Sequence, residues 1–329
     1  MKQQFLKYAP TAGDVHVNTP LTNISIAYLQ NMTNFVSQKV FPVIPVTKQS
    51  DRYFTYDRGE FNRDEMKKRA PGTESAGGSY TIDNTPTYYA DVYAFHKDIP
   101  DQVRANSDSV LSPDREATEY VTHKAMIKRE MLWASKYFAT SIWTTDQSTS
   151  NWGPTGTATD PIYDIRVGKT TVLKSTGFEP NTLVLGKEVY DALADNADVI
   201  ERVNAGQTAP NPAMGTLWAM MALFEIERIF VMKAIYNSAN EGAANVHAFI
   251  GGAHALLCYS APSPGIMTPS GGYTFAWTGF AGAGQEGGRI KRFRREHLES
   301  DRVEIQMAFD QKLIAADLGY FFSSPITSA

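Results

Sequence analysis

Between Asp51 and Ile99 the chain carries two β-rich runs that are too long for a body of its size to cover. Arg52-Tyr53-Phe54-Thr55-Tyr56 and Thr87-Tyr88-Tyr89-Ala90-Asp91-Val92-Tyr93-Ala94-Phe95 are dominated by aromatic and β-branched residues, the composition of strands. The tip between them is polar and turn-rich: Gly59, the charge run Arg63-Asp64-Glu65-Met66-Lys67-Lys68-Arg69, Pro71-Gly72 and Gly77-Gly78. Fully extended at ~3.3 Å per residue, Ser79 to Ile99 would span about 65–70 Å. A compact chain of this length has a radius of gyration of only about 20 Å. Pro86 suits an edge strand, since it has no N–H for a second neighbour. The expectation is a projecting hairpin that completes its packing on other molecules.

The segments around it support an elongated plan. Up to Val46, prolines 10, 20, 42 and 45 flank one helix, predicted from the spacing of Ile24, Tyr28, Met32, Phe35 and Val36, and the whole stretch reads as an arm lying on something else. Ser112-Pro113 is a helix start, and Ala117, Tyr120, Val121, Ile127, Met131, Ala134 and Phe138 predict a helix to Phe138, about 40 Å long at ~1.5 Å per residue. Lys124, Lys128, Arg129, Glu130 and Lys136 are expected on its other faces. A linker (Gly153, Pro154, Gly156, Pro161) leads to a helix near Ile162–Leu173, a buried strand at Asn181–Gly186, and one helix through Val189, Leu193, Val199, Ile200 and Val203 with a solvated acidic side. Leu217–Phe224 reads as helix, whereas Arg228–Met232, Val246–Cys258 and Tyr273–Trp277 read as strand, so the second unit is α+β. Val303, Ile305, Met307 and Phe309 alternate with polar residues, and a hairpin turn is expected at Asp310-Gln311.

Composition narrows the function. The 329 residues suggest about two structural units at roughly 150 per domain. With 43% hydrophobic and 20% charged residues, the chain is not disordered as a whole. Lys and Arg number 31 against 35 Asp and Glu, and this net charge of −4 leaves no global positive charge for coating nucleic acid. The single Cys258 forms no internal disulfide, and no zinc-type spacing accompanies it. Met1-Lys2-Gln3-Gln4-Phe5-Leu6 lacks a signal-peptide core, so a cytoplasmic product is expected. Ala213–Phe224, the longest nearly uncharged apolar stretch, falls short of the roughly 18 residues that suggest a membrane span.

Catalytic motifs fail on context. Gly282-Ala283-Gly284-Gln285-Glu286-Gly287 matches the dinucleotide glycine pattern, but a strand-like run rather than a helix follows, so a loop is expected. Gly168-Lys169-Thr170 lacks the first glycine of a phosphate loop, because Tyr163 stands there. The six histidines form no HExxH, and no serine sits in a GxSxG elbow. No catalytic, cofactor-binding or metal-ligating residue is assigned. The strongest charge feature is Arg289, Lys291, Arg292, Arg294 and Arg295, open to intersubunit pairing, a solvated face or a DNA contact. The tip run Arg63, Asp64, Glu65, Lys67, Lys68 and Arg69 carries both signs, which suits pairing with a neighbouring subunit.

Arm, long hairpin, spine helix, α+β unit and terminal strands, in that order, resemble the major capsid proteins of tailed bacteriophages, the Hong Kong 97-type fold. Strings similar to that family are Phe41-Pro42-Val43-Ile44-Pro45-Val46, Asn181-Thr182-Leu183-Val184-Leu185-Gly186 with Glu188-Val189-Tyr190, Ala222-Leu223-Phe224 through Ala234-Ile235-Tyr236-Asn237, and Phe309-Asp310-Gln311-Lys312 through Leu318-Gly319-Tyr320. The resemblance implies an N-arm (1–47), an extended E-loop (48–98), a peripheral P-domain (99–160 with 289–329, spine helix about 113–139) and an axial A-domain (161–288). It implies a structural protein rather than an enzyme, forming pentamers and hexamers of an icosahedral virion shell assembled in the host cytoplasm. That shell would enclose double-stranded DNA without sequence-specific binding and expand on packaging, with scaffolding, portal and decoration proteins as partners. Some relatives carry a helical scaffold extension ahead of the arm; here a separate scaffold, or removal of that region, is expected. The rival readings are an encapsulin-like nanocompartment, which shares the fold and holds enzyme cargo, and a homo-oligomeric hydrolase. The net charge of −4 would suit a container wall that does not grip its DNA.

Overall fold

The long strand Ser300–Leu313 organises one half of the molecule. The computed structural model describes residues 29–107, 111–148, 151–153, 160–205, 217–265, 267–280 and 282–326. Along one side of the long strand Asp91–Pro100 runs antiparallel, from Phe309↔Asp91 to Ser300↔Pro100. Along the other side Gly288–Arg295 pairs with residues 300–307, and Gly272–Trp277 takes over with residues 309–313. The hand-over occurs at Gly287, whose carbonyl accepts the Ala308 N–H at 2.9 Å. Gly287 has φ of 69°, and a Cβ there would run into the Ala308 carbonyl oxygen, so glycine is required.

The turn expected at Asp310-Gln311 is therefore corrected: both residues lie inside the continuous strand. Their polarity serves tertiary bonds instead. The Asp310 carboxylate accepts the Tyr89 N–H at 3.0 Å, and the Tyr137 hydroxyl donates to the Gln311 carbonyl. The alternation itself holds, with Val303, Ile305, Met307 and Phe309 packing with Ile99 on Ala117, Val121 and Ala125 of the spine helix. That helix is Pro113–Tyr137, with proline in its first turn where a missing N–H costs nothing.

The second sheet runs Thr145–Gln147, Gly319–Phe322, Ala255–Cys258, Thr182–Gly186, Arg228–Met232. Its central strands are buried on both faces, and their two-residue period divides the core. Leu183, Leu185, Leu257 and Phe322 face the helices Pro161–Thr176, Lys187–Ala194, Ala197–Ala205 and Leu217–Phe224. Val184, Leu256 and Phe321 face the C-terminal half of the spine helix, through Trp133, Tyr137 and Phe138. The single helix expected through Val189 and Val203 is two, broken at Asp195-Asn196. The Asn196 side chain accepts the N–H groups of Asp198 (3.0 Å) and Val199 (3.3 Å), an N-cap hidden inside an apolar-periodic run. The glycine-rich run from Gly282 to Gly287 lies in the loop before Gly288–Arg295, with no helix after it.

Candidate assembly surfaces

Three surfaces bear on assembly: the arm, the hairpin and the basic strand. Most of the helix predicted over Ile24–Val36 lies outside the described residues. The described part is a short 3-10 turn, Met32–Asn34, and a single helical turn, Ser37–Val40. This part of the arm packs on its own body. Phe41 is fully buried among Trp133, Tyr137 and Trp143, at ring distances of 5.8, 5.0 and 6.4 Å. The strand Val43–Val46 then pairs in parallel with Thr274–Trp277.

The arm's entry is held by Glu130, a fully buried carboxylate on the spine helix. Its Oε1 accepts the Val36 N–H and its Oε2 the Ser37 N–H, each at 2.9 Å. Burial pushes this carboxyl above the usual range, while the two amide bonds oppose the rise by favouring the charged form. Arg129 beside it is also buried and reaches Glu286 at 3.4 Å; Glu286 in turn accepts the Gln38 amide at 2.9 Å. The apolar spacing predicts both residues on the helix's polar faces, and the structure places them inside. The buried positions 117, 121, 125, 129, 133 and 137 repeat every four residues, and that period is the sequence signal that places Arg129 in the stripe, with Glu130 next to it.

The hairpin is shorter than its strand content suggests, because Asp91–Pro100 belongs to the body sheet. The projecting part is built from Ser50–Arg52 with Thr87–Tyr89 and from Thr55–Tyr56 with Ile82–Asp83. Its root is fixed by Tyr88 stacked on Phe275 at 4.5 Å and 8°, with Tyr53 stacked on the same ring at 5.5 Å. Further out, Arg58 meets Asp317 at 2.7 Å, and Tyr56, Phe61 and Tyr80 form a ring cluster at 5.5–6.1 Å. Apolar side chains remain uncovered: Phe54 is 64% and Met66 94% exposed. At the tip, Arg63 and Glu65 sit 3.4 Å apart and Arg69 donates to the Thr73 carbonyl. Asp64, Lys67 and Lys68 have no ion pair among the described residues.

The basic strand is divided by its pleat. Arg292 and Arg294 face the spine-helix side and are neutralised within the chain. Arg294 forks onto Asp101 with two 2.6 Å bonds. Arg292 meets Asp114 at 3.1 Å and Asp301 at 3.0 Å, and Arg104 joins the same pair of aspartates at 2.9 and 2.7 Å. On the other face Arg289 bonds the Gln306 side chain at 2.9 and 2.7 Å and covers the Phe280 ring, and Arg295 contacts the His297 ring. Lys291 lies opposite Glu304 in register and has no ion pair among the described residues. Next to it Arg302 forks onto Asp98 at 2.7 and 2.8 Å.

These pairs set a pH dependence. Hydrogen bonds from Arg302, Arg294 and Arg292 hold Asp98, Asp101 and Asp301 below the usual carboxylate range. A lowered folded value means stability that is fully present above the unfolded carboxylate range and lost as pH falls through the folded values. Urea melts of the unassembled chain are therefore expected to weaken progressively below about pH 4. Asp301→Asn should flatten that fall, and an unchanged acid profile in this variant would contradict the assignment.

No family model matches the chain. Two curated phage proteins named major capsid protein are similar throughout. That of Burkholderia phage BcepMu is 24% identical over 319 residues, covering 93% of this chain and 96% of the relative. That of Pseudomonas phage JBD67 is 25% identical over 321 residues, covering 95% and 98%. Among solved structures, a phage-related protein from Bordetella bronchiseptica superposes with a TM-score of 0.66 at 20% identity, covering 90% of this chain and 93% of that one. The capsid of cyanophage P-SCSP1u gives 0.60 at 11% identity, with 94% and 93% covered. The SrpI encapsulin of Synechococcus elongatus gives 0.57 at 11% identity, with 92% of each chain covered. The chain has the α+β Hong Kong 97-type capsid fold, and over nearly its whole length it is similar in sequence to two proteins named major capsid protein.

Proposed function

We propose that the chain is the major capsid protein of a tailed phage, a structural subunit that self-assembles into the icosahedral head enclosing double-stranded DNA. The observation that carries this reading is the extent of similarity: relatives named major capsid protein match 93% and 95% of the chain. Among the described residues no cluster of His, Cys, Asp and Glu could hold a metal ion, and no helix is long and apolar enough to cross a membrane.

On this reading residues 1–47 are the N-arm, 48–90 the projecting E-loop, 99–160 with 289–329 the P-domain and 161–288 the A-domain. Asp91–Pro100 moves from the hairpin to the P-domain sheet, Gly272–Trp277 pairs in that same sheet, and Thr145–Gln147 and Gly319–Phe322 pair in the A-domain sheet. Pentamers and hexamers assemble in the host cytoplasm, with scaffolding, portal and decoration proteins as partners, and the shell expands as DNA enters. The tip residues Arg63, Asp64, Glu65, Lys67, Lys68 and Arg69 pair with a neighbour. In the basic strand, the intrachain partners of Arg292 and Arg294 leave Lys291 as the charge best placed to reach across a subunit boundary. Many such weak contacts stabilise a closed shell collectively.

A second reading, an encapsulin-like compartment, is favoured by the likeness to SrpI. Electron microscopy of the purified chain separates the readings. Closed shells, formed alone or with a co-expressed scaffold, would end the reading as a soluble oligomeric enzyme; a small oligomer that never closes even with the scaffold would end both shell readings. Particles from infected cells that hold genomic DNA and a portal vertex support the phage head; a loaded enzyme supports the compartment.

A further inference from the structure

Most of the run that the sequence makes conspicuous is committed within the chain, and apart from Lys291 the positive charge that remains available on the body lies elsewhere. Arg292, Arg294 and Arg104 share Asp101, Asp114 and Asp301, so that network is satisfied internally. Along the seam between the spine helix and the strand Asp91–Pro100 the situation is different. Lys124 and Lys128 stand on the helix one turn apart, ~6 Å along its axis. Lys97 approaches from the strand. Lys97 and Lys124 hold their ammonium groups 5.3 and 5.6 Å from the centre of the Tyr120 ring, and Lys128 lies 5.6 Å from that of Tyr93. Tyr120 and Phe95, 5.8 Å apart, are 39% and 40% exposed within the same strip. None of the three lysines has a carboxylate partner among the described residues.

We propose that Lys97, Lys124 and Lys128 form a phosphate-contacting strip for packaged double-stranded DNA, which puts the seam between spine helix and strand on the inner side of the shell. The proposal rests on the capsid reading and adds a contact site and an orientation to it. An aromatic ring attracts an ammonium by roughly 0.5–1 kcal/mol at an exposed site and leaves its charge intact. The heads are thereby positioned in advance, and less side-chain freedom is lost when a phosphate arrives. Lysine also suits the ligand. Its compact point charge meets a phosphodiester backbone in no fixed register, whereas selective recognition of a carboxylate in a scaffold peptide favours the planar fork of arginine. Three charges give a weak, salt-sensitive contact, compatible with a chain of net charge −4 and with DNA that must leave the head.

The test compares the full-length chain with a variant carrying Lys97→Gln, Lys124→Gln and Lys128→Gln. Binding of a short DNA duplex is measured across a salt series on unassembled chain. The slope of log K against log salt should shrink by about 2–3, at ~0.9 for each phosphate that is no longer neutralised. In particles, lysine acetylation should be suppressed at these three positions when DNA is present and restored when it is removed. An unchanged slope, or equal acetylation in full and empty particles, overturns the proposal. So does an unchanged slope accompanied by loss of a co-assembling acidic protein, which assigns the strip to a scaffold. Absence of this chain from the shells of particles made in infected cells overturns the capsid reading instead, while the slope still decides whether the strip binds DNA.

Discussion

A chain lacking Gly59 to Gly78 is expected to fold with its melting temperature nearly unchanged and to form no closed shells. The body loses little, since the deleted segment contributes no strand to either main sheet and the root contacts of Tyr53, Tyr88 and Tyr89 all lie outside it. Assembly loses much more. Met66 and Phe61, 94% and 49% exposed in the single chain, are apolar side chains held out from the body, and burying one of them fully on a neighbour contributes about 1.5–3 kcal/mol. The charged tip adds specificity about which neighbour is met. Each loss recurs in every subunit of a closed shell, so an interface weakened by a few kcal/mol per copy prevents closure. Thermal melting and negative-stain imaging of the same preparation check both halves; shells of normal size from the deleted chain would remove the hairpin from the assembly mechanism.

The division between local and long-range contacts also explains what is legible in the sequence. Wherever one element's own pattern decides its fate, pattern and structure agree: Ser112-Pro113 opens the spine helix, and Thr182–Gly186 is a strand buried on both faces. They part where polar groups are committed to distant partners. Asp310-Gln311 reads as a turn because nothing nearby in sequence reveals that Tyr89 and Tyr137, some two hundred residues earlier, use both residues as acceptors. Asp91–Ile99 reads as part of the hairpin because its aromatic alternation suits a projecting strand equally well; only the ten-residue register with Ser300–Phe309 assigns it to the body. Arg292 and Arg294 look like free charge for the same reason, their aspartate partners being spread over Asp101, Asp114 and Asp301. The arm's prolines suggest a segment lying on something else, and what receives it from Val36 onward is its own spine helix, through a carboxylate ninety-odd residues away that no local pattern announces.

Replacing that carboxylate should loosen the arm's entry specifically. Glu130→Ala removes the side-chain acceptor of the Val36 and Ser37 amides, both at residues that are 1% exposed, so water cannot readily replace it. Each stranded donor costs about 1–3 kcal/mol, and the sum is reduced because the side chain's own buried charge disappears with it. A net loss of about 2–4 kcal/mol is expected. Glu130→Gln retains one carbonyl acceptor and should lose less. Because Phe41 stays wedged between Trp133, Tyr137 and Trp143, the arm strand beyond it should remain paired in both variants. Amide hydrogen exchange reads this directly: protection at Val36 and Ser37 collapses while that at Val43–Val46 persists. Uniform loss of protection would show that Glu130 supports the core as a whole, and retained protection at Val36 and Ser37 would show that the arm's entry is held by packing without the latch. The first outcome matters for assembly, since an arm freed at Val36 but anchored at Phe41 pivots about a fixed point, and the residues before it gain reach without loosening the sheet that carries them.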